Sequence, residues 1–82
     1  MLIEVGHRHN INSDRILAVA SLDSMPIRKA AQLAKKEGVL INLTGPFVSK
    51  AIIIMDTGVV IKIAIRPSDV QSRILDASPL RS

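Results

Sequence analysis

This chain of 82 residues has no cysteine, tryptophan or tyrosine, and Phe47 is its only aromatic residue. Without cysteine there is no disulfide framework and no thiolate metal site, and a reducing cytoplasm becomes the expected compartment. With a single ring, the chain has no row of aromatics on which successive bases could stack. No apolar run approaches the roughly 20 residues that span a bilayer, and the first residues include Glu4 without a basic leader, so neither a membrane span nor a signal peptide is expected. The core must therefore be built from Ile, Val, Leu and Ala, which lift the apolar fraction to 48%. One short domain is expected over residues 1–76, with 77–82 as a disordered tail.

Charge is the other asymmetry. Eleven Lys and Arg stand against seven Asp and Glu, for a net charge of +4. Such a balance suits a polyanionic partner and equally suits an ordinary solvated surface.

The stretch from Ser21 to Gly38 carries the signals of a complete helix, expected over about 25–37. Ser24 can cap the first free N–H groups, Pro26 sits where a missing donor costs nothing, and Gly38 supplies a left-handed stop. At 100° per residue, Ile27, Ala30, Ala31, Leu33 and Ala34 form one arc, expected against a sheet. Arg28, Lys29, Gln32, Lys35 and Lys36 form the other.

Strands are expected at Met1–Val5, at Arg15–Ala20 (apolar enough for burial on both faces), at Val39–Leu43, at Lys50–Met55 and at Val59–Ile65. Asp56-Thr57-Gly58 joins the last two as a hairpin. Ser68-Asp69-Val70-Gln71 has capping-box spacing, so a short C-terminal helix is expected over about 69–75, with Val70 and Ile74 inward and Asp69 paired to Arg73. The fold class is thus α+β, a small, curved, mainly antiparallel sheet with one full and one short helix. Apolar strand faces outnumber the helices that could cover them, which points to self-association.

Catalytic chemistry finds little support. His7 and His9 could share a side of an extended segment, but no third ligand accompanies them, and solvated loop histidines are expected. No serine lies in a Gly-x-Ser-x-Gly elbow, and Gly6, Gly38, Gly45 and Gly58 are isolated turn or cap residues. Neither an enzyme nor a cofactor site is expected. The remaining polar candidates are loop-edge cations: Arg8, Arg15 at the mouth of a strand, and Lys50 before the central strand. If they converge, they form a phosphate-contacting surface that needs position and charge rather than a base-reading code. Arg15 could instead pair with Asp14 or with another subunit. The helix cations are a separate candidate.

Several blocks, in order and spacing, resemble the RemA-type extracellular-matrix regulators, a group of short bacterial proteins. They are Asn12-Ser-Asp-Arg-Ile-Leu-Ala-Val19, Ser21-x-Asp-Ser-x-Pro-Ile-Arg-Lys29, Gly38-x-Leu-Ile-Asn-x-Thr44, Ala51-Ile-Ile-Ile-Met-Asp56 and Pro67-x-x-Val-x-x-Arg73. The resemblance implies a fold related to LytTR-type DNA-binding domains. It also implies a homo-oligomeric ring larger than a dimer, octamer-like, which binds double-stranded DNA through basic residues and activates biofilm-matrix genes. Arg15 matches one of the family's basic contact positions. The family's Gly-Arg-Arg-Thr-Arg segment is replaced here by Pro46-Phe-Val-Ser-Lys50, so its arginine pair has become Phe47 and Val48. The family's Gly-aromatic-Gly loop reads Gly6-His7-Arg8, which adds a cation. Two functions follow as expectations: a DNA-binding regulator using Arg15, Arg8 and Lys50, or a ring-forming paralogue without DNA binding whose Phe47 and Val48 contact a protein.

Overall fold

The computed structural model describes residues 1–77. Its elements are β1 (Leu2–Glu4), β2 (Asn10–Asn12), a 3-10 turn (Ser13–Arg15), β3 (Ile16–Ser21), α1 (Met25–Lys36), β4 (Leu40–Asn42), β5 (Ala51–Met55), β6 (Val60–Ile63) and α2 (Pro67–Ala77). The four-stranded sheet has the order β3-β5-β6-β4, antiparallel except for the parallel β4–β6 pair. β1 and β2 form a separate antiparallel hairpin. The α+β expectation, mainly antiparallel, holds.

Ile52-Ile53-Ile54 forms the middle of the sheet because β-branched side chains fit a pleated surface covered on both sides. Ile52 and Ile53 point to opposite faces and both are fully buried. On one face α1 lays Ala31, Ala34 and partly buried Ile27 over Ile52, Ile54 and Val60. Small alanines let the helix backbone come close to the strands. On the other face Ile53, Ile61 and Ile63 meet the β1–β2 hairpin (Ile3, Val5, Ile11) and Val70 of α2. The molecule is therefore three layers, with the sheet in the middle.

The expected turns appear where their residues demand them. The 56–58 hairpin closes through the Met55 N–H to the Val59 carbonyl (2.8 Å), and Gly58 takes φ +89°. Gly38 takes φ +77° just past α1, the left-handed stop read from sequence.

Other details depart from expectation. The segment Asn10–Asn12, outside all the expected strands, is a strand paired to β1. Ser24 makes no side-chain capping bond; its carbonyl accepts from Arg28 N–H at 3.0 Å instead. Ala30 and Leu33 are exposed, because the helix sits on the Ile27–Ala31–Ala34 line and leaves that flank uncovered. β3 is an edge strand with Leu17 at 71% exposure, so it is not buried on both faces. A register shift between Ile16 and Ala18 leaves Leu17 without a pairing partner.

α2 begins at Pro67, earlier than the Ser68 box implied. The reciprocal bonds are displaced: Asp69 N–H donates to the Arg66 carbonyl (3.0 Å) and Arg66 N–H to Asp69 Oδ2 (3.2 Å). Arg73 does not pair with Asp69; its Nη1 donates to the Glu4 carbonyl at 2.8 Å and fastens α2 to β1. α2 runs through Ala77, past the expected stop near Leu75, and the rest of the expected tail, 78–82, lies outside the described residues. Among the described residues no helix is long and apolar enough to cross a membrane.

Candidate polyanion-binding surface

Arg15 ends the 3-10 turn, which Asn12 starts by accepting the Asp14 N–H at 3.0 Å. The Arg15 carbonyl accepts from Asp56 N–H (2.8 Å), which anchors its backbone beside the 56–58 hairpin. Its guanidinium reaches Asp56 rather than Asp14: Nη1 lies 3.2 Å from Oδ2, with the side chains 64% and 42% exposed. Asp14 is engaged by the Met1 ammonium at 2.8 Å. A pair this open to water is weak, so Arg15 can exchange Asp56 for another anion.

Lys50 precedes β5, at the opposite end of that strand from Asp56. Its N–H donates to the Ile63 carbonyl (2.9 Å), and its carbonyl accepts from Leu22 N–H (3.0 Å). The five residues of β5 separate Lys50 from Asp56, six steps of extended chain or about 20 Å. Arg15 and Lys50 therefore do not converge within one chain.

Arg8 belongs with Lys50. The turn from Gly6 to His9, closed by His9 N–H to the Gly6 carbonyl (3.0 Å), places His7 and Arg8 at φ +53° and +68°. Two central residues at positive φ are the pattern of the I′ turns that join antiparallel strands. A Cβ on Gly6 would stand 3.2 Å from Ile65 Cγ2, so the turn lies tight against the end of β6. The His7 imidazole stacks on Phe47 with centroids 3.9 Å apart and planes 8° from parallel. That stack joins the Arg8 turn to the loop that leads into Lys50.

The Phe47 loop is itself fixed from below. Buried Thr44 donates its N–H (2.9 Å) and hydroxyl (2.6 Å) to Asn42 Oδ1, and Phe47 N–H returns to the Thr44 carbonyl (3.0 Å). Phe47 and Val48 remain 54% and 78% exposed. Sequence reasoning missed Arg66, which shares a cleft with Lys50, Ser21, Asp23 and Ser68. Its signal was its place between a strand and Pro67, at the same sheet end as Lys50. Arg8, Lys50 and Arg66 thus mark one end of the sheet, and Arg15 marks the other.

The RemA-like family model, described as extracellular matrix regulatory protein A-like, matches residues 2–74. A relative from Synechococcus elongatus is 36% identical over 76 residues, covering 93% of this chain and 87% of its own length. One from Kosmotoga olearia is 38% identical, covering 90% of this chain and 75% of its own length. Another from Moorella thermoacetica is 35% identical, covering 99% and 89%. Each of the three carries the name "Putative regulatory protein".

Proposed function

The chain belongs to the RemA-like family, and from that premise we propose that it is a cytoplasmic DNA-binding transcriptional regulator of biofilm-matrix-type genes, not an enzyme. It acts as a ring-shaped homo-oligomer that meets the phosphate backbone of double-stranded DNA. The observation that carries this reading is the placement of Arg8, Arg15 and Lys50. All three are exposed, Arg8 in the Gly6–His9 turn and Arg15 and Lys50 at loop–strand junctions, and among the described residues Arg15 alone of the three holds a carboxylate, one it can release. Their repetition around a ring offers the two sheet ends to successive phosphates without any base-reading side chain.

Ring assembly is supported by the uncovered apolar surface. The sheet has open edges at β3 and β4, and each carries a large aliphatic in water: Leu17 on β3 and Ile41 on β4. Leu33 adds to this on the uncovered flank of α1. Unlike surfaces at opposite edges favour head-to-tail contact, which closes into rings when the rotation permits.

Phe47 and Val48 favour a second reading, a ring-forming interaction module without DNA binding. They stand exposed where the resemblance places an arginine pair. A gel-shift titration of the natural sequence and Arg15→Ala against duplex DNA at two salt concentrations, with light scattering in parallel, tests the proposal. Under the DNA reading Arg15→Ala binds more weakly, its salt dependence flattens and the particle mass is unchanged. No duplex binding by the natural sequence at low salt leaves the interaction module. A loss of assembly in Arg15→Ala makes Arg15 an interface residue and removes the contact on which the DNA reading rests.

A further inference from the structure

A second group of cations lies away from Arg8 and Arg15, in a cleft of about 540 Å³ between α1 and the β4–β6 edge. Arg28, Gln32 and Lys35 recur at i, i+4 and i+7, so they line one side of α1. Lys62 rises from β6, an interior strand of the sheet, on the face covered by α1. It is partly buried, directly opposite Ile52 in the neighbouring strand, and flanked along its own strand by Ile61 and Ile63. The floor and far wall are apolar, supplied by Ala31, Leu40 and Val48 among others.

Among the described residues three positive side chains line this cleft and no carboxylate does. Among the described residues none of Arg28, Lys35 and Lys62 has an ion-pair partner. A lysine on an interior strand, beneath a helix that adds two more cations, gives the cleft a lining whose charged groups are all positive. Nothing in the packing requires this: isoleucine and valine fill the equivalent inward positions of β5 and β6. An anion in the cleft meets these cations, and Ala31, Leu40 and Val48 give an attached organic group an apolar surface to lie against. The size falls within the range of small-molecule sites, and the mixture of apolar wall with few convergent polar groups is their usual make-up.

From this we infer that the α1–β6 cleft binds a small organic phosphate of mononucleotide size, its phosphate among Arg28, Lys35 and Lys62 and its apolar or planar part against Leu40 and Val48. The site is independent of the DNA contacts proposed above. It gives the molecule a ligand-responsive position beside the Phe47–Val48 loop, since Val48 lines both this cleft and the Lys50–Arg66 cleft.

The test is titration calorimetry of the full chain with AMP and, separately, with inorganic pyrophosphate. Saturable binding of AMP at one per chain is expected, with pyrophosphate weaker because it cannot use the apolar wall. Lys62→Gln should weaken AMP binding by about tenfold or more, and Lys35→Gln on the exposed helix, where folding is not at risk, should weaken it by several-fold. Lys29→Gln, outside the cleft, should leave it unchanged. Equal AMP binding by the natural sequence and both cleft variants, or no saturable binding, overturns the inference. It is also overturned if AMP fails to bind while Lys62→Gln weakens duplex DNA, which assigns the cations to the DNA surface. A change in particle mass on Lys62→Gln without AMP binding overturns it too, by assigning the cleft to a neighbouring copy.

Discussion

Arg15 and Asp56, 41 positions apart in the chain, are joined twice: Asp56 N–H donates to the Arg15 carbonyl at 2.8 Å, and Arg15 Nη1 to Asp56 Oδ2 at 3.2 Å. The backbone bond positions the guanidinium, and the exposed ion pair only parks it. Asp56→Asn should therefore keep the turn, since asparagine suits it as well, and change stability by less than about 1 kcal/mol in urea melts. In gel shifts it should tighten DNA binding at fixed salt by removing a competing anion. A loss of several kcal/mol would show that the pair supports the fold and is not available for exchange.

The Gly6–His9 turn holds two side-chain-bearing residues at positive φ, a conformation that costs roughly 1–2 kcal/mol each. Arg8→Gly should relieve one of them and raise stability by about 1 kcal/mol, or about 4–8 °C in melting temperature for a domain of this size. The same change removes a cation, so DNA affinity should fall as stability rises. If both move together, Arg8 is not a phosphate contact.

Ala31 is 4% exposed between α1 and the sheet. Ala31→Leu should overpack that contact and cost about 1–3 kcal/mol in urea melts. Lys36→Ala, on the outer side, should stay within about 0.5 kcal/mol. Equal losses would contradict the close α1–sheet approach.

Phe47→Arg combined with Val48→Arg places cations beside Lys50 and Arg8. Under the DNA reading the double variant should bind duplex more tightly at low salt and show a steeper salt dependence. An unchanged salt dependence would mean that this loop does not face the DNA.

What could be read from the chain depended on whether one segment carried the whole signal. α1 is bounded by Pro26 and Gly38, and Ile52–Ile54 admits few alternatives to a buried strand, so both were legible. β2 was not: Asn10-Ile11-Asn12 has one apolar residue, and its hairpin turn uses His7-Arg8 where Asn-Gly would have announced it. α2 was displaced because Arg66, which lacks a capping side chain, takes the cap position through its backbone alone. The cations were visible as residues, but their grouping was not. Alternation places Lys62 on the other face of the sheet from Ile61 and Ile63, yet only the crossover from β3 through α1 to β4 brings Arg28 and Lys35 over it.

The strand order β3-β5-β6-β4 also sets a timetable for the chain as it is made. Both outer strands and α1 are synthesised before the central hairpin on which they rest, and a helix of 12 residues is marginal in water without a surface to pack on. The first half of a nascent chain consequently has no template until Val60–Ile63 leaves the ribosome, when β5 and β6 close locally and the earlier elements dock on both sides. Pulsed amide exchange during refolding should find protection first in β5 and β6, with β3 and β4 following. Until that hairpin forms, β3 and its aliphatic neighbours remain open to chaperones and to other newly made copies.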